Sequence, residues 1–123
     1  MRFVTLTTDM GLEDYYVASV KASILQQCND PIHLIDITHA IKPFDVVEAA
    51  YHVSQAYKSF PEGTIHIIGV DAEPVFNFGN SEGSFPSIML MDKQYFVCND
   101  NGFFGTLARF GTDIQFFRVE DIL

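Results

Sequence analysis

Hydrophobic residues in this chain fall into two kinds of run, and the two kinds alternate. Residues 3–8, 32–37 and 64–70 are short, compact and rich in β-branched side chains, the pattern of strands. Between them, Val17, Val20, Ile24 and Cys28 recur at helical spacing, as do Val46, Ala50, Val53, Tyr57 and Phe60. Glu13 or Asp14 falls in the first turn of the first helix, where a carboxylate suits the helix dipole, and Asn29-Asp30-Pro31 ends it. Asp45 caps the second helix, and Pro61-Glu62-Gly63 stops it. The order βαβαβ predicts a parallel sheet with right-handed crossovers, and the near-continuous apolar run 64–70 predicts a strand buried on both faces.

From 71 to 86 the pattern dissolves into Gly, Asn, Ser and Pro around Phe76, Phe78 and Phe85, which reads as a long loop. Residues 87–91 and 94–98 form a hairpin turning at Asp92-Lys93. Residues 101–110 make a short helix ended by Gly111, and 114–119 a last strand. The expected fold is a single α/β domain over 1–123, a three-layer sandwich with a mostly parallel central sheet and helices on both faces.

Composition narrows the function. At 123 residues the chain buries roughly two-thirds of its unfolded surface, enough for a core without disulfides. No apolar run approaches the about 20 residues of a bilayer span. The start passes straight into a strand and lacks the form of a signal peptide, so a cytoplasmic location and no membrane partner are expected. Seven basic against 16 acidic residues give a net charge of −9, which opposes nucleic-acid binding. The same charge tolerates a cationic ligand, although a solvated acidic surface is the plainer account. Cys28 and Cys98 lack metal-ligand or CxxC spacing and read as buried thiols, so no metal site is expected.

Candidate chemistry lies at the strand ends. Asp9, Asp71 and Asp100 each follow an apolar run, and ligands of open α/β sheets bind beyond the carboxyl ends of the strands. Asp9, two residues before Gly11, is either a carboxylate for the two hydroxyls of a ribose or a helix cap or turn-former, and both readings stand. Asp71 ends the most buried strand and reads as functional. Asp100 with Asn101 reads first as a helix cap. Asp36 lies inside a strand and reads as a solvated or capping acid on the opposite face. His33, His39, His52 and His66 read as satisfied or exposed histidines. Phe44, after Pro43, is a stacking platform or a staple into the core.

Read in order, the segments resemble a known family. Thr7-Thr8-Asp9-Met10-Gly11, Asp14-x-Tyr16-Val17 and Lys21 are similar to the opening of the S-adenosylmethionine hydroxide adenosyltransferases, relatives of the fluorinases and chlorinases. Asp36-Ile37-Thr38-His39, Pro43-Phe44-Asp45 and Glu48-Ala49-Ala50 match the next block. Phe60-Pro61-x-Gly63-Thr64-Ile65-His66, Val70-Asp71 and Asp100-Asn101-Gly102 complete it. The resemblance implies hydrolysis of S-adenosylmethionine at the ribose C5′, giving adenosine and methionine, with that molecule as substrate and no further cofactor. It implies that Asp9 holds the ribose hydroxyls and that Phe44 packs on the sugar. Asp14 and Tyr16 match positions near the methionine end, Asp100 and Asn101 further substrate-binding positions, and Asp71 the acid that orients the attacking water. A homotrimer is implied, with a C-terminal β-domain, absent from this chain, completing the adenine site.

Two departures accompany the resemblance. The family arginine seven residues after the aspartate is replaced by Phe78, and the family's triad histidine lies downstream of Leu123. Little or no turnover is therefore expected of this chain alone. Two other readings remain: a non-catalytic module binding S-adenosylmethionine or adenosine, and an assembly domain whose Phe-rich loop pairs with another chain.

Overall fold

The strand Arg2–Thr8 (β1) is buried from Val4 onward, because it lies inside the sheet with a parallel partner on each side. In this computed structural model, residues 2–70, 86–99 and 102–118 are described. One partner of β1 is β2 (Ile32–Thr38) and the other is β3 (Ile65–Gly69). The hairpin of β4 (Pro86–Met91) and β5 (Gln94–Asn99) extends the sheet from β3, and β6 (Gln115–Arg118) closes it. Among the described residues the six strands run in the order β2-β1-β3-β5-β4-β6. Pairings β1–β2, β1–β3 and β3–β5 are parallel, and β4 is antiparallel to both neighbours.

Helix α1 (Tyr16–Gln27) joins β1 to β2, and α2 (Val46–Ala56), prolonged by a 3-10 turn at Tyr57–Ser59, joins β2 to β3. The first crossover runs from β1 to β2 and the second runs back from β2 past β1 to β3, so right-handedness puts their helices on opposite faces. Contacts agree. Lys21 of α1 reaches Asp36, which is in register with Leu6, whereas Ala50 and Val53 of α2 and Tyr57 of its 3-10 extension cluster with Ile68 and Phe96. The short α3 (Phe103–Leu107) and its 3-10 extension Ala108–Phe110 join α2 on that second face. The result is the α/β three-layer arrangement expected from the sequence.

The two faces are unequally covered. On the α2 side Val53, Tyr57, Val70, Met89, Phe96, Phe103 and Leu107 are fully buried in one cluster. On the α1 side Ile65, Ile67, Ile88, Leu90 and Val97 are only half-buried, and Tyr95 and Phe117 are exposed. β3 is thus buried on one face and partly covered on the other, short of the two-sided burial its apolar run predicts. Helix α1 buries only Val17 and half-buries Val20 and Ile24. Cys28 follows the helix and is exposed, so the expectation of two buried thiols holds for Cys98 and fails for Cys28. The first-turn acid also fails, because α1 starts after Asp14.

The hairpin turn is the one its sequence predicts. Asp92 and Lys93 both take left-handed φ, 51° and 63°, as the twist-matched two-residue turn requires. Asp92 then anchors three segments. It accepts hydrogen bonds from the Tyr57 hydroxyl at 2.7 Å and from the Thr112 amide and hydroxyl at 3.0 Å each. Burial and this carboxylate push the Tyr57 hydroxyl up to about 12. Gly111 passes so close that a Cβ there would lie 2.6 Å from both Asp92 Oδ2 and Met91 Sδ.

His66 is wholly buried on the α2 face, stacked on Phe96 with ring centroids 4.8 Å apart. Gln94 Nε2 donates to the carbonyls of Tyr57 and Phe60, which turns Gln94 Oε1 toward His66 Nε2 at 2.7 Å. That acceptor requires the proton on Nε2, and Nδ1 accepts from the Thr5 hydroxyl at 2.6 Å. A neutral ring satisfies every partner. Burial accordingly holds the imidazole below its usual range.

Two stability predictions follow from this packing. Gly111→Ala is expected to lose about 1–3 kcal/mol by overpacking, read as a lower denaturant midpoint at unchanged slope. For His66 the folded-state pKa lies below the unfolded value of 6.5, so the unfolded chain binds the extra proton first. Its contribution is complete above pH 6.5 and fades as pH falls toward the folded value, at up to about 1.4 kcal/mol per pH unit. Unfolding titrations of wild type and His66→Gln between pH 7 and 5 should therefore diverge in slope; parallel slopes would refute the assignment.

Candidate functional site

Sheet order reverses at β1: the chain winds first to β2 and then back past β1 to β3, which leaves the carboxyl ends of β1 and β3 side by side. Such a switch point is where open α/β sheets bind ligands. Asp9 is the first residue beyond β1, and the connection 39–45 beyond β2 lies against it.

The contact between them is specific. Asp9 Oδ2 accepts the Phe44 amide at 3.1 Å. Phe44 has φ 65°, a left-handed conformation that a bulky residue rarely adopts. The cause is local. The Asp45 amide donates to the Lys42 carbonyl at 3.0 Å, closing a β-turn with Pro43 second and Phe44 third. A turn with positive φ at its third residue favours Gly or Asn there, so Phe44 is held against preference. Its ring is 66% exposed. It is therefore no staple into the core. Asp45 caps α2 as expected, its Oδ1 accepting the Glu48 amide at 3.0 Å.

Asp9 does not cap a helix, since α1 begins seven residues later. The intervening loop turns at Gly11, whose φ of 72° suits glycine, and the Gly11 amide donates to the His39 carbonyl at 2.8 Å. Asp14 ends this loop, with Oδ1 accepting the Tyr16 amide at 3.1 Å. Tyr16 is exposed and lies against Tyr15, ring centroids 4.7 Å apart. Asp9 and Phe44 are thus in direct contact, while Asp14 and Tyr16 stand at the far end of the same connection that Asp9 begins. Asp71, Asp100 and Asn101 lie outside the described residues, as do Phe76, Phe78 and Phe85.

Beneath Asp9 lies a polar chain whose members the sequence reading left without a role. The Thr8 hydroxyl is 2.6 Å from His39 Nδ1 and accepts the Met10 amide at 3.2 Å. His39 is buried, and its Nε2 lies 2.8 Å from Asp36 Oδ1, off the line of the ring N–H, a close polar contact rather than an aligned hydrogen bond. Lys21 Nζ meets Asp36 Oδ2 at 2.5 Å. Burial opposes ionisation of Asp36, but Lys21 and His39 outweigh it and hold the carboxyl below its usual range. Asp36 shares the α1 face with Leu6 and is a half-exposed paired acid. The i, i+3 spacing of Asp36 and His39 was the available signal. His33 is exposed and stacked on Phe3, and His52 approaches Glu48 at 3.8 Å. Among the described residues no three His, Cys, Asp or Glu side chains converge as a metal site.

Known proteins resemble this chain in sequence and fold. The N-terminal domain of the SAM hydroxide adenosyltransferases matches residues 4–122. The (R)-S-adenosyl-L-methionine hydrolase of Methanocaldococcus jannaschii is 34% identical over 108 residues, and that of Thermus thermophilus 35%. These alignments take in 85% and 88% of this chain but 39% of each relative, so the chain spans about two-fifths of their length. A fluorinase of Nocardia brasiliensis is 36% identical over 62 residues, half of this chain and 20% of its own. A crystal structure of a conserved hypothetical protein from Thermus thermophilus superposes with a TM-score of 0.75 at 30% identity, covering 97% of this chain and 47% of that one.

The left-handed turn gives a test of the site. A non-glycine residue in this region costs about 1–2 kcal/mol, and glycine costs about 0.5–1 kcal/mol in chain entropy. Because the ring is mostly exposed, Phe44→Gly is expected to unfold at the same denaturant concentration as wild type or higher. A clear drop would show that the ring supports the fold rather than standing ready for a ligand.

Proposed function

The chain belongs to the SAM hydroxide adenosyltransferase family, in its N-terminal domain, and on that premise we propose that it supplies the ribose-binding half of an S-adenosylmethionine hydrolase. The observation that carries this reading is the contact of Asp9 with Phe44 at the sheet's switch point. It ties a carboxylate to the backbone of a residue whose aromatic side chain is exposed. That pair is suited to a sugar: the carboxylate accepts vicinal hydroxyls and the ring covers the apolar face.

In the proposed reaction a water oxygen attacks C5′ of the ribose as the C5′–S bond breaks. The electron pair of that bond goes to sulfur, so the sulfonium becomes the neutral thioether of methionine. No acid is needed for departure. The protein's task is to align water, C5′ and sulfur and to exclude competing solvent. The water loses a proton, and Asp71, at the position of the family's water-orienting acid, is the proposed acceptor or orienter. Asp14 and Tyr16 would lie toward the methionine end, and Asp100 and Asn101 would complete the substrate contacts. A homotrimer, with a neighbour's C-terminal domain over the adenine, belongs to the same proposal for the longer protein.

One observation favours a second reading, a module that binds the nucleoside without turning it over: Phe78 stands where the family has an arginine. Calorimetry with adenosine and product analysis with S-adenosylmethionine separate the two. The 123-residue chain is expected to bind adenosine, with Asp9→Ala weakening binding by about 1.5–3 kcal/mol, and to release no adenosine from S-adenosylmethionine. Joined to a C-terminal domain of the relatives' kind, it is expected to release adenosine and methionine in equal amounts, and Asp71→Ala to abolish this. Binding without product in the joined protein would establish the module. Turnover by the short chain, lost in Asp71→Ala, would overturn the expectation that it is incomplete.

A further inference from the structure

The two loops that bring Asp9 and Phe44 together start from different strands, and one side chain binds both. His39 belongs to the connection beyond β2, yet its Nδ1 lies 2.6 Å from the Thr8 hydroxyl at the end of β1. Its carbonyl accepts the Gly11 amide at 2.8 Å, and the Ile41 amide reaches the Thr8 carbonyl at 3.4 Å. Thr8 in turn accepts the Met10 amide on the other side of Asp9. Asp9 thus sits in a turn whose flanking residues, Thr8, Met10 and Gly11, are all tied directly or through Thr8 to His39.

The imidazole has a defined polarity. Asp36 Oδ1 at 2.8 Å from Nε2 is a carboxylate oxygen, which disfavours a bare lone pair on that nitrogen. Lys21 keeps that carboxylate charged and in place. With the proton on Nε2, Nδ1 is the acceptor, and the Thr8 hydroxyl donates to it. The Thr8 oxygen then keeps a lone pair for the Met10 amide. The order of donors is therefore Lys21 to Asp36, Thr8 to His39 and Met10 to Thr8, with His39 Nε2 facing Asp36 in a close contact without hydrogen-bond alignment.

We propose that His39 is a positioning residue for the nucleoside site, clamping the β1 and β2 loops through Thr8 so that the Asp9 carboxylate and the Phe44 ring stay in register. This rests on the reading of Asp9 and Phe44 as ligand groups, but the clamp itself is testable without ligand. His39 touches neither reacting atoms nor substrate in this scheme.

The test uses two substitutions that divide the ring's functions. Asn places its carbonyl oxygen where Nδ1 stands and retains the Thr8 contact. Gln places an N–H near Nε2 and retains only the Asp36 contact. Amide hydrogen exchange of the 123-residue chain is the first readout. In His39→Gln, the amides of Met10, Gly11 and Phe44 are expected to exchange at least tenfold faster while those of Val53 and Phe96 keep their protection. In His39→Asn, the same three are expected to stay within threefold of wild type. Unchanged exchange in His39→Gln, or equal loss in both variants, overturns the clamp. Should His39→Gln lose core protection as well, Thr8→Val removes the same hydrogen bond from the other side, and the same amides decide. In wild type, nitrogen NMR at pH 8 is expected to find Nε2 protonated and Nδ1 bare, and a proton on Nδ1 overturns the polarity.

Adenosine affinity is the second readout, expected to fall at least tenfold in His39→Gln and under threefold in His39→Asn. Equal affinities in wild type and His39→Gln overturn the positioning role. Absence of adenosine binding in all three proteins, with the exchange pattern intact, supports the clamp and rejects the ligand reading instead.

Discussion

Parallel pairing of β1 on both of its edges is the constraint on which the rest depends. A strand so placed has its carboxyl end between two others, and the chain crosses from it to β2 and then back past it to β3, the two right-handed crossovers running in opposite directions along the sheet. The helices then lie on opposite faces, and the loops beyond β1 and β2 meet at one point. Asp9 occupies that point because it is the first residue after the strand. Thr8, still within the strand and buried, is where a loop from the neighbouring strand can anchor.

Two buried histidines show how differently the same residue type is used on the two faces. His66 has Gln94 and Thr5 as neutral partners and stacks on Phe96, so it joins strands within the main core. His39 has Thr8 on one nitrogen and a lysine-held carboxylate beside the other, and it joins loops at the rim. Both complete a polar sequence of donors and acceptors that an apolar side chain would break, leaving buried groups unpartnered at a cost of about 1–3 kcal/mol each.

Much of this was legible in the chain's pattern, for identifiable reasons. Helix α2 has a capping aspartate and a broad apolar stripe, and Asp92-Lys93 is a turn signal between two alternating runs, so both elements lie where the pattern puts them. The family resemblance, carried by short motifs in order, agrees with the match over residues 4–122. What the pattern missed depends on distance in space. Cys28 continues a helical spacing but falls past the helix end, and spacing alone does not mark the last turn. The role of His39 needed the register of β1 against β2, which sets Leu6 beside Asp36 and Thr7 beside Thr38. Phe44 fits either a staple or a platform as an aromatic after Pro43, and only its exposure in the fold excludes the staple.

The half-covered sheet face bears on how the protein behaves in bulk. Tyr95 and Phe117 are exposed there beside half-buried isoleucines, leucine and valine, while the net charge of −9 keeps neighbouring molecules apart. Acidification removes that repulsion carboxylate by carboxylate, and salt shortens its range to about 10 Å at 0.1 M. The apolar face changes with neither. The balance between a fixed attraction and an adjustable repulsion therefore shifts toward association as pH falls into the carboxylate range or salt rises.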